Sequence, residues 1–169
     1  MASQRDVYLD NAATTRIADE VVEAMLPYLK DEYGNPGSFN TKGMNARDAV
    51  EEARSTVSRI LHTKTSEIIF TSGGTESINL ALKGVMRANK EKGNHLITSV
   101  IEHPAVLETC KYLEKHEGVK VTYVPVDQHG LVNVHDVEKA LTPQTILISI
   151  MYANNEIGTI QDIPAIGKL

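Results

Sequence analysis

Residues Thr145-Ile-Leu-Ile-Ser-Ile150 form a nearly continuous apolar run, which is typical of a strand covered on both faces of a parallel sheet. Outward from this run, short β-rich segments alternate with segments whose apolar residues recur at helical spacing. The β-α-β-α order predicts an α/β fold, with a mainly parallel sheet, flanking helices and right-handed crossovers. The predicted strands are Val7–Leu9, Glu67–Thr71, His95–Val100, Val119–Val124 and Thr145–Ile150.

The helical segments fill the intervals between these strands. A loop over Gly34–Gly43 separates the first two helices, and Asp162 and Pro164 suit the first turn of a last one. No turn chemistry closes that last helix, so we expect the chain to be truncated within a domain. The predicted helices are Val21–Leu29, Ala46–Leu61, Thr75–Lys92, Pro104–Glu117 and His135–Leu141.

Composition excludes several classes of protein. The chain has 169 residues and 17 Lys+Arg against 22 Asp+Glu, a net charge of −5. A length of this order suggests one domain, and the acidic balance argues against a nucleic-acid partner. The single cysteine, Cys110, excludes a disulfide scaffold and favours a reducing cytoplasm. No apolar run approaches the ~18 residues of a membrane span, so we expect no membrane partner.

The segment Phe70-Thr-Ser-Gly-Gly-Thr-Glu-Ser77 joins a predicted strand to a predicted helix. Helix N-termini present unpaired N–H groups and a positive dipole end, which favour phosphate. Gly74 would let the backbone approach a phosphate, and the hydroxyls of Ser72 and Thr75 could donate to it. The alternative is an ordinary turn in which Ser72 or Thr75 caps the helix. The sequence matches neither the Walker loop nor the dinucleotide fingerprint.

Two further polar loops follow predicted parallel strands. His103, in Ile101-Glu-His-Pro-Ala105, could stack on a flat ring or move a proton, or act only as a local cap. Asn155, in Ala153-Asn-Asn-Glu-Ile-Gly158, could contact a ligand or merely build a turn. Ligands bind at the carboxyl ends of strands in open α/β sheets, so the loops predict a shared cleft. The histidines show no metal-ligand spacing, and no metal site is expected.

These motifs together resemble the cysteine desulfurases, pyridoxal-phosphate enzymes of the aspartate-aminotransferase fold. The nearer match is the branch that serves iron–sulfur cluster assembly, and the resemblance runs from Val7 to Leu169. One position departs from the family, because Asn40 stands where a histidine is common. The segments that carry the resemblance are Tyr8–Thr15, Tyr33–Pro36, Ile69–Ser77, Glu102–Val106 and Asn154–Gly158.

The resemblance implies roles for four residues. Gly74 and Thr75 would bind the phosphate of pyridoxal 5′-phosphate, and Asn155 would hydrogen-bond its ring oxygen. His103 would stack over the pyridine ring and assist proton transfers. The implied reaction takes L-cysteine to L-alanine and leaves a persulfide on an enzyme cysteine. The implied partners are a sulfur-acceptor or iron–sulfur scaffold protein and, in the full-length parent, a second copy in a homodimer.

The resemblance also implies an incomplete site. Residues 1–15 would belong to the small domain and residues 16–169 to the N-terminal part of the cofactor-binding large domain. The acid that pairs with the pyridinium nitrogen, the lysine that holds the cofactor and the persulfide cysteine would lie beyond Leu169, since Cys110 is in the wrong segment. We therefore expect the isolated chain to be inactive. Two alternatives stay open: a non-catalytic cofactor-binding or scaffold remnant, and a relative resembling selenocysteine lyase.

Overall fold

A computed structural model describes residues 7–169 of the chain, which divides into two compact units, Met1–Phe70 and Thr71–Leu169. The first unit contains α1 (Asp19–Lys30), α2 (Thr41–Ile60) and a short 3₁₀ turn (Thr65–Glu67). The predicted domain boundary after residue 15 refers to the complete family protein and stays a prediction.

Two predicted helices of the first unit are confirmed as α1 and α2. α2 begins inside the predicted loop, because the Asn40 side chain accepts a hydrogen bond from the Gly43 N–H at 2.9 Å and caps the helix. Asn40 therefore has a local structural role at the position where it departs from the family pattern.

Two predicted strands are wrong. Val7–Leu9 and Glu67–Thr71 have no strand pairing in the structure. Ile68 has extended backbone angles, φ −95° and ψ 125°, but its carbonyl accepts from the Arg54 guanidinium instead of a neighbouring strand. Short apolar runs fit an extended conformation, yet a strand also needs a ladder partner, which the local sequence does not specify.

The second unit is the α/β part of the chain, and its predicted elements are confirmed with small shifts of their ends. The largest shift is in the helix predicted to reach Lys92, which ends at Ala88, where the Asn89 side chain bonds the Val85 carbonyl. The elements are α3 (Gly74–Ala88), β1 (His95–Ser99), α4 (Pro104–Glu117), β2 (Lys120–Val124), α5 (Val134–Ala140), β3 (Thr145–Ser149) and α6 (Ile163–Ile166).

The three strands form a parallel sheet in the order β2-β1-β3. All five residues of the central strand, β1, are buried, whereas every residue of β3 is half-buried. The expectation that Thr145–Ile150 is covered on both faces is confirmed, because Ile146 and Leu147 pack against one apolar cluster and Ile148 and Ile150 against another, although β3 is less buried than β1. The reason for this difference in burial is position, since β3 lies at an edge of the described sheet and β1 has a strand on each side.

Apolar side chains pack on both faces of β1. Leu96 belongs to a cluster with side chains of α3 and α4, and Ile97 belongs to a second cluster with Val137 of α5 and Ile166 of α6. Because successive strand residues point to opposite faces, this alternation places α3 and α4 on one face and α5 and α6 on the other. The result is a sheet with helices on both faces, as the sequence predicts.

A buried histidine joins the three strands at the start of the sheet. The two ring nitrogens of His95 lie 2.7 Å from Thr145 Oγ1 and 2.8 Å from Thr122 Oγ1. Burial lowers the pKa of His95, and the positive charge of Lys120 lowers it further. The polar loops that follow β1 and β3 lie at the opposite end of the sheet. Among residues 7–169, no helix is both long and apolar enough to cross a membrane.

Candidate active site

The first turn of α3 has no side-chain cap. Gly73 is the residue before the helix, and the first helical hydrogen bond runs from the Ser77 N–H to the Gly73 carbonyl at 3.1 Å. That bond leaves the N–H groups of Gly74, Thr75 and Glu76 without helical acceptors, and all three residues are exposed. The turn therefore presents three N–H donors at the positive end of the helix dipole.

Ser72 has a different role from the predicted one. Its hydroxyl donates to Glu76 Oε2 at 2.6 Å, and its N–H donates to the same oxygen at 2.7 Å. These two bonds lower the pKa of Glu76, the hydroxyl contributing more than the N–H. Ser72 therefore neither caps α3 nor has a free hydroxyl for a phosphate. The Thr75 hydroxyl does not cap the helix either, so the local-cap alternative fails for both residues.

The space around the turn fits a phosphate group. Among the described residues, a Cβ built on Gly73 or Gly74 would meet nothing within 4 Å, so the space beside these two glycines is open. A phosphate takes several hydrogen bonds at once, and three backbone N–H groups with one hydroxyl supply that donor set. The ionised Glu76 carboxylate is an unfavourable charge for a phosphate at this end of α3.

His103 is both a local cap and an exposed ring. Its Nδ1 accepts a hydrogen bond from the Ala105 N–H at 3.0 Å, which caps the N-terminus of α4. Because Nδ1 accepts, the neutral ring carries its proton on Nε2. The cap therefore fixes the ring orientation and leaves Nε2 as the position for a ligand contact or a proton transfer.

The two neighbouring asparagines after β3 differ in burial. Asn155 is exposed, and its Nδ2 donates to Glu156 Oε1 at 2.9 Å. Asn154 is buried, and its Oδ1 accepts from the N–H groups of Glu156 and Ile157 at 2.9 and 3.0 Å. Asn154 thus builds the turn, while Asn155 presents its amide to solvent. Of the two alternatives for this loop, Asn154 has the turn-building role, and Asn155 is the residue available for a ligand contact.

The sheet brings His103 and Asn155 to one edge. They follow β1 and β3, which are adjacent and parallel, so their loops leave the same end of the sheet. A direct bond joins the loops, because Asn154 Nδ2 donates to the Ile101 carbonyl at 2.9 Å. α3 leads into β1 and packs against α4 and β3, which directs its N-terminus toward this edge. The polar contacts of Thr71–Ser77 stay within that segment.

Two buried residues of this edge were not predicted from sequence. Glu102 is 6% exposed, and its Oε1 accepts from the Ser99 hydroxyl at 2.7 Å and from the Met151 N–H at 2.9 Å. Burial raises the pKa of Glu102, and the bonds from Met151 and Ser99 oppose that shift. Asn154 is the second such residue. The only sequence signal for either is a polar residue directly before a predicted site residue.

Other candidate groups do not form sites. Cys110 is fully buried in α4, and burial raises its pKa to about 11, so the thiol is protonated at neutral pH. Within the described part of the chain, no three His, Cys, Asp or Glu side chains cluster as metal ligands. A cavity of about 410 Å³ is lined by residues of the segment from Pro125 to Asp136, and none of the predicted site residues lines it. Its Asp127 carboxylate is used by a turn, accepting from the His129 and Leu131 N–H groups.

A parallel sheet with polar loops at its strand ends and an open helix N-terminus is the architecture of an α/β ligand-binding domain. The family model for class-V aminotransferases matches residues 7–169, and the chain belongs to that family.

The chain resembles one curated relative and two solved structures along nearly its whole length. It is 55% identical over 166 residues to the cysteine desulfurase IscS of Dictyoglomus turgidum, covering 98% of this chain. A solved NifS-like protein superposes with a TM-score of 0.91 at 47% identity over 96% of this chain and 44% of that one. A solved complex of SspA with cysteine superposes with a TM-score of 0.89 at 43% identity, covering 95% of this chain and 46% of that one. The chain spans 42% of the length of the Dictyoglomus relative.

Proposed function

We propose that this chain supplies the phosphate-binding turn and one side of the ring-binding site of a pyridoxal-phosphate-dependent cysteine desulfurase. The observation that carries the proposal is the uncapped first turn of α3, which has three N–H donors on exposed residues and open space beside Gly73 and Gly74. The similarity to cysteine desulfurases along residues 7–169 supports the same assignment.

The phosphate would bind at the N-terminus of α3. The N–H groups of Gly74, Thr75 and Glu76 would donate to its oxygens, together with the Thr75 hydroxyl. The Ser72 hydroxyl takes no part, since it is held by Glu76. The ionised Glu76 opposes the anion, so the helix dipole and the four donors must outweigh one carboxylate.

The ring would bind between the loops that follow β1 and β3. His103 would lie flat against it, in the orientation that the Nδ1 bond to the Ala105 N–H sets. Asn155 Nδ2 carries two hydrogens, so it would donate one to the ring oxygen while the other keeps its bond to Glu156. Any proton that His103 moves would be carried at Nε2, because Nδ1 is the helix cap. When bound, pyridoxal phosphate supplies the electron sink for chemistry at the α-carbon of an amino acid.

The proposed substrate of the complete site is L-cysteine, with L-alanine and an enzyme persulfide as products. The structural likeness to a protein solved in complex with cysteine supports cysteine as the substrate. A sulfur-acceptor or iron–sulfur scaffold protein as partner, a homodimeric parent and a cytoplasmic location belong to the same proposal. What supports them is the similarity to proteins named cysteine desulfurase IscS, on which the proposed function also rests.

We propose that the isolated chain binds the cofactor but does not turn over cysteine. The test measures sulfide released from L-cysteine in the presence of pyridoxal phosphate and excess dithiothreitol, a thiol that reduces the persulfide to sulfide. It is made on the chain alone and on the chain mixed with the part of the Dictyoglomus relative that it does not match. We expect no sulfide from the chain alone and sulfide from the mixture. Sulfide from the chain alone contradicts the proposal. A mixture that binds cofactor without releasing sulfide favours the non-catalytic binding protein.

A further inference from the structure

Glu102 is a buried carboxylate at the edge of the sheet where the ring would bind. Its Oε1 accepts from the hydroxyl of Ser99, the last residue of β1, and from the N–H of Met151, which follows β3. A buried carboxylate is expensive to desolvate, so a fold that buries one needs donors for it. Here the donors come from two different strand ends.

The Glu102 bond is one of two that tie the same pair of loops. The other runs from Asn154 Nδ2 to the Ile101 carbonyl at 2.9 Å. Ile101 and Glu102 directly precede His103 on one loop, and Met151 and Asn154 precede Asn155 on the other. Both bonds have their donor on the loop after β3 and their acceptor on the loop after β1, and both are partly buried. Because the two bonds join different pairs of residues, together they restrain both the separation and the relative rotation of the loops.

His103 and Asn155 are each attached directly to this pair of bonds. His103 follows Glu102 in sequence, and its ring is fixed by the Ala105 N–H. Asn155 lies between Asn154 and Glu156, whose N–H the Asn154 side chain holds. Neither exposed side chain bonds the other loop, so their spacing depends on the residues beneath them. A ligand ring contacting both needs that spacing set before it binds.

We propose that Glu102 is a positioning residue for the cofactor ring: by joining Ser99 and Met151 through one carboxylate oxygen, it sets the spacing between His103 and Asn155. This inference rests on the proposed function. It assigns Glu102 no contact with the cofactor or substrate. Inorganic phosphate, which needs only the first turn of α3, is therefore indifferent to Glu102, whereas a ligand with both phosphate and ring depends on it.

The test compares two ligands in three variants of the full 169-residue chain. Pyridoxamine 5′-phosphate is the ring-bearing probe, because its amine cannot condense with exposed lysines, and inorganic phosphate is the ring-free probe. Glu102→Ala removes the acceptor, and Glu102→Gln keeps an acceptor oxygen. Glu108→Ala is the matched control, since Glu108 is an exposed glutamate of α4 that pairs only with Lys111. The ligand-free readout is the ¹⁵N spectrum, through the His103 ring nitrogens and the Asn155 backbone amide.

For Glu102→Ala we expect the pyridoxamine phosphate Kd to rise about tenfold while the inorganic phosphate Kd stays within about twofold. The His103 ring and Asn155 amide signals should shift or broaden without ligand. Glu102→Gln should restore both readouts, and Glu108→Ala should change neither. If Glu102→Ala does not fold, Ser99→Ala takes its place, since it removes one of the two donors, and the same signals should move by less.

Several outcomes overturn the inference. Unmoved His103 and Asn155 signals in a folded Glu102→Ala chain would show that the loops keep their spacing without the carboxylate. Equal loss of both ligands would show a general structural role instead of a positioning one. A wild-type chain that binds pyridoxamine phosphate no more tightly than phosphate refutes the proposed function, while the ligand-free spectra still decide the role of Glu102.

Discussion

Replacing Thr75 by valine tests the phosphate site at a single atom. The side chains have nearly the same shape, so the substitution removes the hydroxyl and leaves the backbone N–H groups of the turn in place. Thr75 is exposed in the first turn of α3, and its hydroxyl caps nothing there. The folded chain therefore loses no internal hydrogen bond, and we expect its free energy of unfolding to change by less than about 0.5 kcal/mol.

The expected loss is confined to phosphate binding. A hydrogen bond to a charged group contributes about 1.5–3 kcal/mol, and solvent exposure at this turn places the expected loss at about 1–2 kcal/mol. That loss corresponds to a Kd raised about 5- to 30-fold. Isothermal titration calorimetry with pyridoxamine 5′-phosphate and with inorganic phosphate measures it, and both ligands should weaken by the same factor because both use the hydroxyl.

The matched control for this prediction is Thr41→Val. Thr41 is also an exposed first-turn threonine, but the helix that it begins, α2, is capped by Asn40. The control should leave both Kd values unchanged. An unchanged phosphate Kd in Thr75→Val would refute the reasoning and reduce the Gly73–Glu76 segment to an ordinary turn.

Two further predictions concern the second unit. Asn154→Ala removes four side-chain hydrogen bonds of a buried residue and should lower the free energy of unfolding by about 2–4 kcal/mol in urea titrations. Asn155→Ala, at the exposed neighbour, should change the free energy of unfolding by less than about 0.5 kcal/mol, and equal effects of the two substitutions would contradict the division of roles. Burial lowers the pKa of His95 in the folded chain, so as the pH falls the unfolded chain binds a proton at this residue first. The free energy of unfolding should therefore be unaffected by His95 above about pH 6.5 and should decrease below that pH. His95→Gln should reduce this acid sensitivity and the exposed His116→Gln should not; a decrease of equal size in both would contradict the assignment.

The sequence predicts the α/β unit well because its signals are local. Apolar periodicity identifies α3, and Pro104 in the first turn with Gly118 after the last marks both ends of α4. The parallel order follows from the alternation of strands and helices. The predictions that fail are Val7–Leu9 and Glu67–Thr71, since whether an extended segment becomes a strand depends on a partner that its own residues do not specify.

The candidate site, like the fold, could be predicted from the sequence only in part. The placement of the phosphate turn, His103 and Asn155 at strand and helix ends was predictable, because those ends follow from the element order. The role of Ser72 was not, because its hydroxyl could donate to a phosphate or to Glu76, and only the side-chain positions decide. Glu102 and Asn154 were missed for the same reason. Their partners on the opposite loop, Met151 for Glu102 and Ile101 for Asn154, lie 49 and 53 residues away in sequence, beyond the reach of any local pattern.

The central claim is that the N-terminus of α3 binds the cofactor phosphate while the loops after β1 and β3 contact its ring. The most direct measurement is a titration of the ¹⁵N-labelled chain with pyridoxamine 5′-phosphate, following the backbone amides. We predict saturable shifts of Gly74, Thr75 and Glu76, with His103 and Asn155 shifting at the same ligand concentrations. Saturable binding that leaves these amides unmoved, or no saturable binding, would contradict the account.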